Sequence, residues 1–514
     1  MQIIFSSSNI AVNEIQQNTN SRITLFSYGQ RYMNKSSIKA NAVLNTLKTV
    51  LGILFPLITF PYVSRVLQVE TVGIYNFCTS IISYFVLFAG LGISSYAIRE
   101  GAQYRYNPEK FERFTSEVFT INLYSTILSY AFLGLSIALM PKLHIYSIVI
   151  SILSMQMAFN LIGVQWVCNI YEDFLAITVR TIITQIISLI AIFLFVKSPN
   201  DLYLYSGIVT FANGGANIFN FFYIRKKYTK FKITAHCNFK KHIKPILILF
   251  STSLTIVIYV SSDSTMLGFM TTNYQVGLYG TSVRIYTVIK NVLSAILTVM
   301  IPRFSILLNK KDKSEAESLF SRAFNTMTLM AVPAVIGLCL CSEEVILLLA
   351  GPTYVEATRS LQILSIATIF SLYAYLFTQC ILVPAKKEKY AFRATLISAI
   401  VNVGLNFIFI PYLGINGAAI TTIIAELLTC IIAYVYSAKE IKFIDLKKNL
   451  ITCSISSLGV VACCIISRHL IANNYIRIPV AIISSVITYV LMLMLCRNTI
   501  AINAISTIKK KIIR

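Results

Sequence analysis

The stretch VGIYNFCTSIISYFVLFAGLGISSYAI, residues 72–98, decides how this chain folds, because it runs for 27 residues without a charged side chain. The hydrocarbon core of a bilayer is about 30 Å thick and is crossed by roughly 20 apolar residues in a helix. Comparable stretches recur along all 514 residues, of which 56% are hydrophobic and only 12% are charged. A soluble domain carries about 25% charged residues, so this composition excludes a soluble enzyme and predicts an all-α membrane protein.

Fourteen segments in total are long and apolar enough to be transmembrane helices. Their approximate limits are 40–66, 72–98, 117–139, 144–168, 176–196, 202–224, 245–270, 277–301, 323–341, 358–384, 390–410, 416–437, 450–467 and 477–496. Because they occupy more than half of the chain, no loop is long enough to fold as a domain of its own. The sequence therefore predicts a polytopic protein with about fourteen transmembrane helices, whose function lies inside the membrane.

The distribution of Lys and Arg predicts the orientation, since positively charged loops remain in the cytoplasm. With both termini in the cytoplasm, the cytoplasmic segments hold 34 of the 44 basic residues, the external loops hold 6 and the spans hold 4. The net charge of +24 is thus spread between apolar segments, which favours an orientation signal over a nucleic-acid interface. The densest basic run, residues 225–244, is predicted to be a cytoplasmic connector between two halves of the chain.

An internal repeat is indicated by two matches at a single offset of 204 residues. Residues 72–75, VGIY, match residues 276–279, VGLY, and Arg99 matches Arg303 at the other end of the same span. Six spans separate the copies, so the copies share one orientation and are related by an axis along the membrane normal. The pattern predicts two parallel six-helix lobes, over 39–224 and 245–437, that enclose a central cavity.

Two regions lie outside this repeat. Residues 1–38 are polar, rich in Asn, Gln and Ser, and lack the apolar core of a cleavable signal peptide. They are predicted to form a disordered cytoplasmic segment. Residues 438–514 are predicted to add two transmembrane helices and a basic tail.

Asp263, Arg284, Lys290 and Glu426 are among the charged residues that fall inside the predicted spans, where a charge costs about 2.5 to 3.5 kcal/mol and requires a partner or a hydrated cavity. Asp263 and Arg284 stand at equal distances from the turn between spans seven and eight, which predicts that they face each other. They are either a structural ion pair or a substrate or ion site. Lys290 and Glu426 either contact an anionic substrate or a coupling cation, or neutralise each other.

The first span carries a polar stripe. Asn41, Asn45 and Lys48 fall within a narrow arc at 100° per residue, so this face either lines a hydrated path or packs against another helix. Pro56 and Pro61 are expected to interrupt the same helix by removing backbone donors. They mark either a point of bending during transport or a static kink.

Motifs for metal, cofactor or covalent chemistry are missing from the sequence. The four His show no ligand spacing and there is no phosphate-binding loop, so no metal or cofactor is predicted. The eleven Cys lie mostly in apolar runs, without a CxxC pair, and are interpreted as small buried hydrophobes. Disulfides are not expected.

Four strings carry a resemblance to a known family. They are FPLITFPYVSRVL (55–67), FAGLGISSYAIREGA (88–102), SSDSTMLGFMTTNYQVGLYG (261–280) and VMIPRFS (299–305). In their order and spacing the chain, from about Ile38 to the C-terminus, resembles the bacterial polysaccharide flippases. These are the Wzx-like exporters of O-antigen, capsule and exopolysaccharide units, within the multidrug/oligosaccharidyl-lipid/polysaccharide exporter superfamily.

The resemblance implies a transporter, not an enzyme, that moves lipid-linked oligosaccharide on undecaprenyl pyrophosphate across the bacterial plasma membrane by alternating access. Lys48, Arg284 and Lys290 are the implied cationic cavity residues. Asp263 or Glu426 would couple transport to a proton or sodium gradient, and passive flipping stays open. Membrane lipids and the polysaccharide polymerase machinery are the expected partners.

Three alternatives remain open. A cation-coupled multidrug extrusion pump shares the fold but usually has twelve spans and acidic cavity residues. A peptidoglycan lipid-precursor flippase also has fourteen spans and is hardly separated by sequence. From another class, a membrane glycan polymerase or ligase would ordinarily present acidic residues or a sizeable external loop to sugar, whereas every predicted external loop here is short.

Overall fold

The computed structural model describes residues 38–502 except 236, 311–312, 443–446 and 499. Within helices, the side chains of 38–50, 53, 447–448 and 474–475 are also outside the description. The described residues contain helices and turns and no strand. The predicted disordered segment, residues 1–38, lies almost entirely outside the described residues.

The helices follow the predicted spans closely. In chain order the α-helices of the described residues are α1 (Ile38–Gly90), α2 (Ile93–Gly101), α3 (Pro108–Leu139), α4 (Pro141–Ile145), α5 (Ser147–Gly163), α6 (Trp166–Ile170), α7 (Phe174–Phe195), α8 (Leu202–Gly214), α9 (Ala216–Lys227), α10 (Phe239–Met270), α11 (Asn273–Leu307), α12 (Ser314–Leu340), α13 (Ser342–Leu349), α14 (Thr358–Tyr375), α15 (Glu388–Ser437), α16 (Lys447–Leu470) and α17 (Asn474–Leu495). A π-helical turn, Leu376–Leu382, continues α14.

By length and composition, ten helical segments of the described chain can cross a membrane. Two of them, Leu54–Tyr104 and Glu388–Ser437, are 51 and 50 residues long and each covers two predicted spans. Every predicted span falls largely on helix, so the all-α polytopic fold is confirmed. The count of fourteen is not established, because helix length alone does not divide the merged segments.

The two longest helices are broken at one residue each. Gln68 in α1 has φ 63° and ψ 172°, and Gly414 in α15 has φ 54° and ψ −129°. Both breaks fall in predicted external turns. The dihedral angles of α1 stay helical at Pro56 and Pro61, so the expected interruption lies downstream of both prolines, and their role in gating remains a prediction.

The chain divides into two compact units. The first comprises the chain up to Pro56, Ile82–Val196 and Tyr203–Leu254; the second comprises Leu57–Ile81, Lys197–Leu202 and the described chain from Thr255. Boundaries between the two units fall within predicted spans one, two and seven. The lobe boundaries at 39–224 and 245–437 therefore remain a prediction.

Within the second unit the two copies of the VGxY motif pack directly against each other. A Cβ at Gly73 would overlap the carbonyl of Asn273, and one at Gly277 would overlap the carbonyl of Val69. The two contacts are equivalent under the offset of 204 residues, because Val69 and Gly73 correspond to Asn273 and Gly277. Glycine is the residue that permits such a close backbone approach, so the repeat has a direct role in packing.

The basic connector follows a fixed path within the first unit. The backbone N–H groups of Lys232 and Thr234 each donate a 3.1 Å hydrogen bond to a hydroxyl of α3, on Ser116 and Thr120. His242, which is fully buried, lies with Nε2 2.7 Å from the Glu117 carboxylate and with Nδ1 2.6 Å from the Tyr96 hydroxyl. The connector is thus held against α3 by polar contacts at several points.

A second polar cluster closes the turn between α6 and α7 in the same unit. Asp173 Oδ2 accepts hydrogen bonds from Tyr223 at 2.5 Å, Lys227 at 2.9 Å and Tyr228 at 2.7 Å. Burial opposes ionisation of Asp173, but these donors outweigh it and hold the pKa of the carboxyl below its usual range. The turn is therefore fastened to the C-terminal end of α9 by a charged group.

Candidate functional site

Two buried acidic residues of the second unit, Asp263 and Glu426, lie in a group of polar side chains on α10, α11 and α15. Lys290 Nζ lies 2.9 Å from Glu426 Oε1, and the Tyr286 hydroxyl donates to the same oxygen at 2.9 Å. Tyr286 and Lys290 are one helical turn apart on α11, so both reach the carboxylate from one face. The predicted alternative in which Lys290 and Glu426 neutralise each other is confirmed by this contact.

The ion pair is unevenly exposed. The Glu426 side chain is 6% exposed and the Lys290 side chain is 29% exposed. Removing one partner of a buried ion pair leaves an uncompensated charge, which is more costly than removing both. Lys290 therefore supplies a cationic partner to the buried Glu426 carboxylate, while its own accessible surface leaves the ammonium within reach of another group.

Asp263 is satisfied by neutral donors. Its Oδ2 accepts from the Tyr279 hydroxyl at 2.6 Å and from the Thr422 hydroxyl at 2.8 Å, and its Oδ1 accepts from Asn406 Nδ2 at 2.7 Å. Asp263 is buried, and among the described side chains no basic group lies within 4.0 Å of it. Among the described side chains this carboxylate thus has hydrogen-bond donors but no counterion.

Amides and hydroxyls extend the Asp263 cluster along α15. Asn402 receives a hydrogen bond from Ser262 at 3.2 Å and donates to Thr421, and Thr421 donates to Asn406 Oδ1. The cluster therefore combines one carboxylate with amide and hydroxyl groups, whose oxygens belong to the ligand types that hard cations prefer. Thr422 precedes Glu426 by four residues, so the two acidic sites are about 6 Å apart along α15.

Arg284 does not face Asp263, so the predicted pairing is wrong for the described side chains. Its guanidinium lies 4.7 Å from the centroid of the Phe60 ring. Arg284 is five residues after Tyr279, which places it about 140° around α11 from the residue that contacts Asp263. The two residues lie at equal predicted depth, but Arg284 points from a different face of α11 than the one that contacts Asp263.

Arg284 is a half-buried cation over an aromatic ring. Among the described residues no carboxylate lies within 4.0 Å of its guanidinium. A cation over a ring face gains about 0.5 to 2 kcal/mol, less than a buried charge pair would supply. Arg284 therefore keeps its hydrogen-bond donors available for an anion.

The remaining predicted site residues are less informative. Asn41, Asn45 and Lys48 lie in α1, but their side chains are outside the described residues. Pro56 and Pro61 lie in α1, and the Pro61 carbonyl accepts a hydrogen bond from Arg65 Nη1 at 2.6 Å. The common cavity predicted for Lys48, Arg284 and Lys290 thus remains a prediction.

The residues around Asp263 follow a recognisable pattern in the sequence. Asn402 and Asn406 are spaced by one helical turn inside an apolar run, and Thr421 and Thr422 lie inside the next one. Polar side chains at this spacing indicate a buried polar face on a membrane helix. This polar spacing indicates the surroundings of Asp263, which the positions of charged residues alone do not.

The fold matches a known class of membrane transporter. The solved structure "Lipid II flippase MurJ, inward closed conformation" matches with a TM-score of 0.69 over 90% of this chain and 100% of that chain, at 18% sequence identity. At this identity the match shows the fold alone. The chain therefore shares the polytopic fold of that protein.

The sequence defines the family within this class. Residues 38–308 match the family described as polysaccharide biosynthesis protein, and since the match covers more than half of the chain, the chain belongs to that family. A relative assigned as an O-antigen transporter in Escherichia coli (strain K12) is 22% identical over 333 residues, which are 65% of this chain and 80% of that protein. Another with the same assignment, in Shigella dysenteriae, is 23% identical over 403 residues, 76% of this chain and 98% of that protein.

Proposed function

We propose that this protein is a flippase for lipid-linked oligosaccharide repeat units, carried on undecaprenyl pyrophosphate, in the synthesis of a surface polysaccharide. Family membership and relatives assigned as O-antigen transporters support the substrate class. The fold shared with a lipid II flippase supports movement of a lipid with a large polar head. Transport proceeds by alternating access.

The observation that carries the proposal is the environment of the Arg284 guanidinium. A half-buried guanidinium without a described carboxylate neighbour is suited to bind an anion. Its planar donor fork matches the oxygens of a phosphate, and attraction between charges is strong where the dielectric constant is low. We assign Arg284 as a contact of the pyrophosphate, together with Lys48 on α1.

Lys290 has a different role in this proposal. Its ammonium is bonded to Glu426 at 2.9 Å, so it can contact the pyrophosphate only if that bond opens. Exchange of Glu426 for the anionic head would link substrate binding to a change in helix packing. Asn41 and Asn45 supply polar groups on the path past Lys48.

Asp263 is the candidate carrier of a coupling ion. Ionised and buried without a basic partner, this carboxylate is costly, and binding a proton or a sodium ion removes the cost. Asn406 and Thr422 donate hydrogen bonds to Asp263, and Asn402 and Thr421 are in turn bonded to Asn406. The carboxylate itself can take up a proton, and the amide and hydroxyl oxygens of this cluster can serve as ligands of a sodium ion. Glu426 is the weaker candidate, because Lys290 already neutralises it.

The proposed location is the bacterial plasma membrane, with both termini in the cytoplasm. In the second unit, segments assigned to one side of the membrane do contact each other. On the external side Arg65 Nη2 donates to the Leu348 carbonyl at 2.6 Å, and on the cytoplasmic side Lys313 and Lys387 both pair with Glu440. The contacts support the division into sides, and the Lys and Arg distribution supports which side is which.

Deletion of the gene tests the proposal. Surface glycan is expected to disappear while its lipid-linked unit accumulates, unpolymerised, in the cytoplasmic leaflet. Complementation with Arg284→Gln is expected to restore less than a tenth of export, Arg284→Lys more than that, and the control Arg303→Gln, on the same helix, nearly all of it. Accumulation of polymerised glycan would reject the proposal, and loss of peptidoglycan synthesis would identify a lipid-precursor flippase instead.

Drug resistance distinguishes the proposed flippase from a multidrug extrusion pump. A multidrug extrusion pump of this fold is expected to protect cells from cationic dyes. The deletion strain is expected to show unchanged dye sensitivity, because cationic residues such as Arg284 repel such substrates. Increased sensitivity with intact surface glycan would identify a drug pump.

A further inference from the structure

Two thiols meet at one end of the second unit. Cys341 connects α12 to α13 and Cys464 lies in α16, yet their sulfur atoms are 3.7 Å apart. Their separation of 123 residues in sequence explains why no local spacing indicates the pair. The sequence-based expectation that disulfides are absent rested on that spacing.

The packing around the thiols fixes their positions. Cys464 and Cys341 belong to an apolar cluster in which α12 packs against α16 and α17 through Leu329, Val460 and Leu493. Both thiols also line a cavity of about 40 Å³ next to Arg468 and Arg477. An occluded pair of this kind is reached through the cavity, since Cys464 itself is only 7% exposed.

Ion pairs fasten the same corner. Glu344, in the first turn of α13, lies 3.2 Å from Arg477 Nη1 and 3.6 Å from Arg468 Nε. Arg468 also pairs with Glu343 at 3.2 Å. These contacts hold the α16–α17 hairpin to the α12–α13 corner, so the sulfur atoms remain close as the helices fluctuate.

We propose that Cys341 and Cys464 form a reversible disulfide that fastens the α16–α17 hairpin to the end of α12. A disulfide requires sulfur atoms about 2.05 Å apart, so the pair closes from 3.7 Å by rotation of two side chains. The proposal rests on the external position assigned to this corner under the proposed function, because disulfides persist in oxidising compartments outside the cytoplasm. The bond links the hairpin, which lies outside the repeat, to the second unit's main bundle.

The reaction is thiol–disulfide exchange with an external oxidant. The thiolate of one cysteine attacks a disulfide of a dithiol–disulfide oxidoreductase or of a small-molecule disulfide, forming a mixed disulfide and releasing one oxidant thiol. The second thiolate then displaces the other oxidant thiol and forms the Cys341–Cys464 bond. Two cysteine sulfurs are oxidised, two protons leave the protein and the oxidant disulfide is reduced to two thiols.

Mass spectrometry of the full-length protein in detergent tests the geometry. After treatment with diamide, free thiols are alkylated under denaturing conditions and the intact mass is measured. The wild-type protein is expected to lose two alkylation sites, and proteolysis is expected to give a linked peptide pair that contains Cys341 and Cys464. Cys341→Ser and Cys464→Ser should each abolish the linked pair.

Neighbouring cysteines are the matched controls. Cys339 and Cys463 each stand within two residues of the pair, but their sulfur atoms contact the Gln362 carbonyl and the Thr488 hydroxyl. Cys339→Ser and Cys463→Ser should leave the linked pair intact. A link that involves either of them, or no loss of thiols in the wild type, would overturn the proposal.

A cellular measurement tests the external position separately. Cells are lysed in acid and alkylated at once, with and without the extracytoplasmic thiol-oxidising enzymes. The linked pair is expected in cells that have these enzymes and is expected to be absent from cells that lack them. A pair that forms only with diamide in detergent would refute disulfide formation in the cell. Glycan export by the deletion strain complemented with this gene is measured separately, so it still tests the proposed function.

Discussion

Replacement of Glu426 by Gln is expected to destabilise the second unit through the charge left on Lys290. At 2.9 Å and an effective dielectric constant of about 20, the Coulomb attraction is about 6 kcal/mol. Desolvation of both groups offsets much of this attraction, and the 29% exposure of Lys290 reduces it further. We therefore expect a net coupling of about 2 kcal/mol, which is roughly a thirtyfold change in the ratio of folded to unfolded protein.

A double-mutant cycle measures this coupling directly. The free energy of unfolding is determined in mixed detergent micelles for the wild type, Glu426→Gln, Lys290→Met and the double variant. Each single variant is expected to lose about 3 kcal/mol and the double variant less than the sum, because it leaves no unpaired charge. Tyr286 keeps one hydrogen-bond acceptor in all four proteins, since Gln retains a carbonyl oxygen. Additive losses, with a coupling below about 0.5 kcal/mol, would refute the assignment of a stabilising ion pair.

The remaining predictions concern the repeat, the carboxylate without a counterion and the turn after α6. Gly73→Ala is expected to lower the free energy of unfolding by about 2 kcal/mol, because its Cβ meets the Asn273 carbonyl, whereas Gly134→Ala, with open space around it, should have no such effect; equal losses would contradict the close approach. Asp263→Asn is expected to preserve expression and fold but to remove the dependence of export on a proton or sodium gradient, and full gradient-dependent export by this variant would exclude Asp263 as the carrier. Because the donors around Asp173 lower its pKa, the carboxylate stabilises the folded state above its unfolded pKa of about 3.9, and this contribution is lost as the pH falls through the lower folded value. The melting temperature of wild type minus that of Asp173→Asn should thus be large and constant near neutral pH and shrink below about pH 4; a difference independent of pH would contradict the assignment.

The helices were predictable because the lengths of apolar runs are a local property of the sequence. Segment limits such as 174–195 differ from the predicted 176–196 by a few residues. The repeat was also readable, since the VGxY motif requires glycine where two backbones meet. The break at Gln68 falls in the external turn predicted between the first two spans, whereas the interruption expected at Pro56 and Pro61 does not occur, because the backbone stays helical at both prolines.

The partners of individual charges were harder to predict. Counting residues from a turn gives depth in the membrane, and on depth alone Asp263 and Arg284 are equivalent. Helix rotation separates them by about 140° around α11, and rotation is set by packing against distant segments such as α15. The contact between Lys290 and Glu426 could not be predicted for the same reason. It joins residues 136 apart in the chain, and the rotation of both helices decides whether their side chains meet.

Flipping in reconstituted vesicles is the most direct test of the central claim. Purified protein is placed in vesicles that carry an undecaprenyl-pyrophosphate-linked oligosaccharide on one leaflet, and a membrane-impermeant glycosidase reports its arrival on the other leaflet. The wild type is expected to transfer the lipid without altering its glycan, Arg284→Gln to transfer it at least tenfold more slowly, and Arg303→Gln to match the wild type. Equal transfer by wild type, Arg284→Gln and protein-free vesicles would contradict the claim that this chain carries the lipid's anionic head across the membrane.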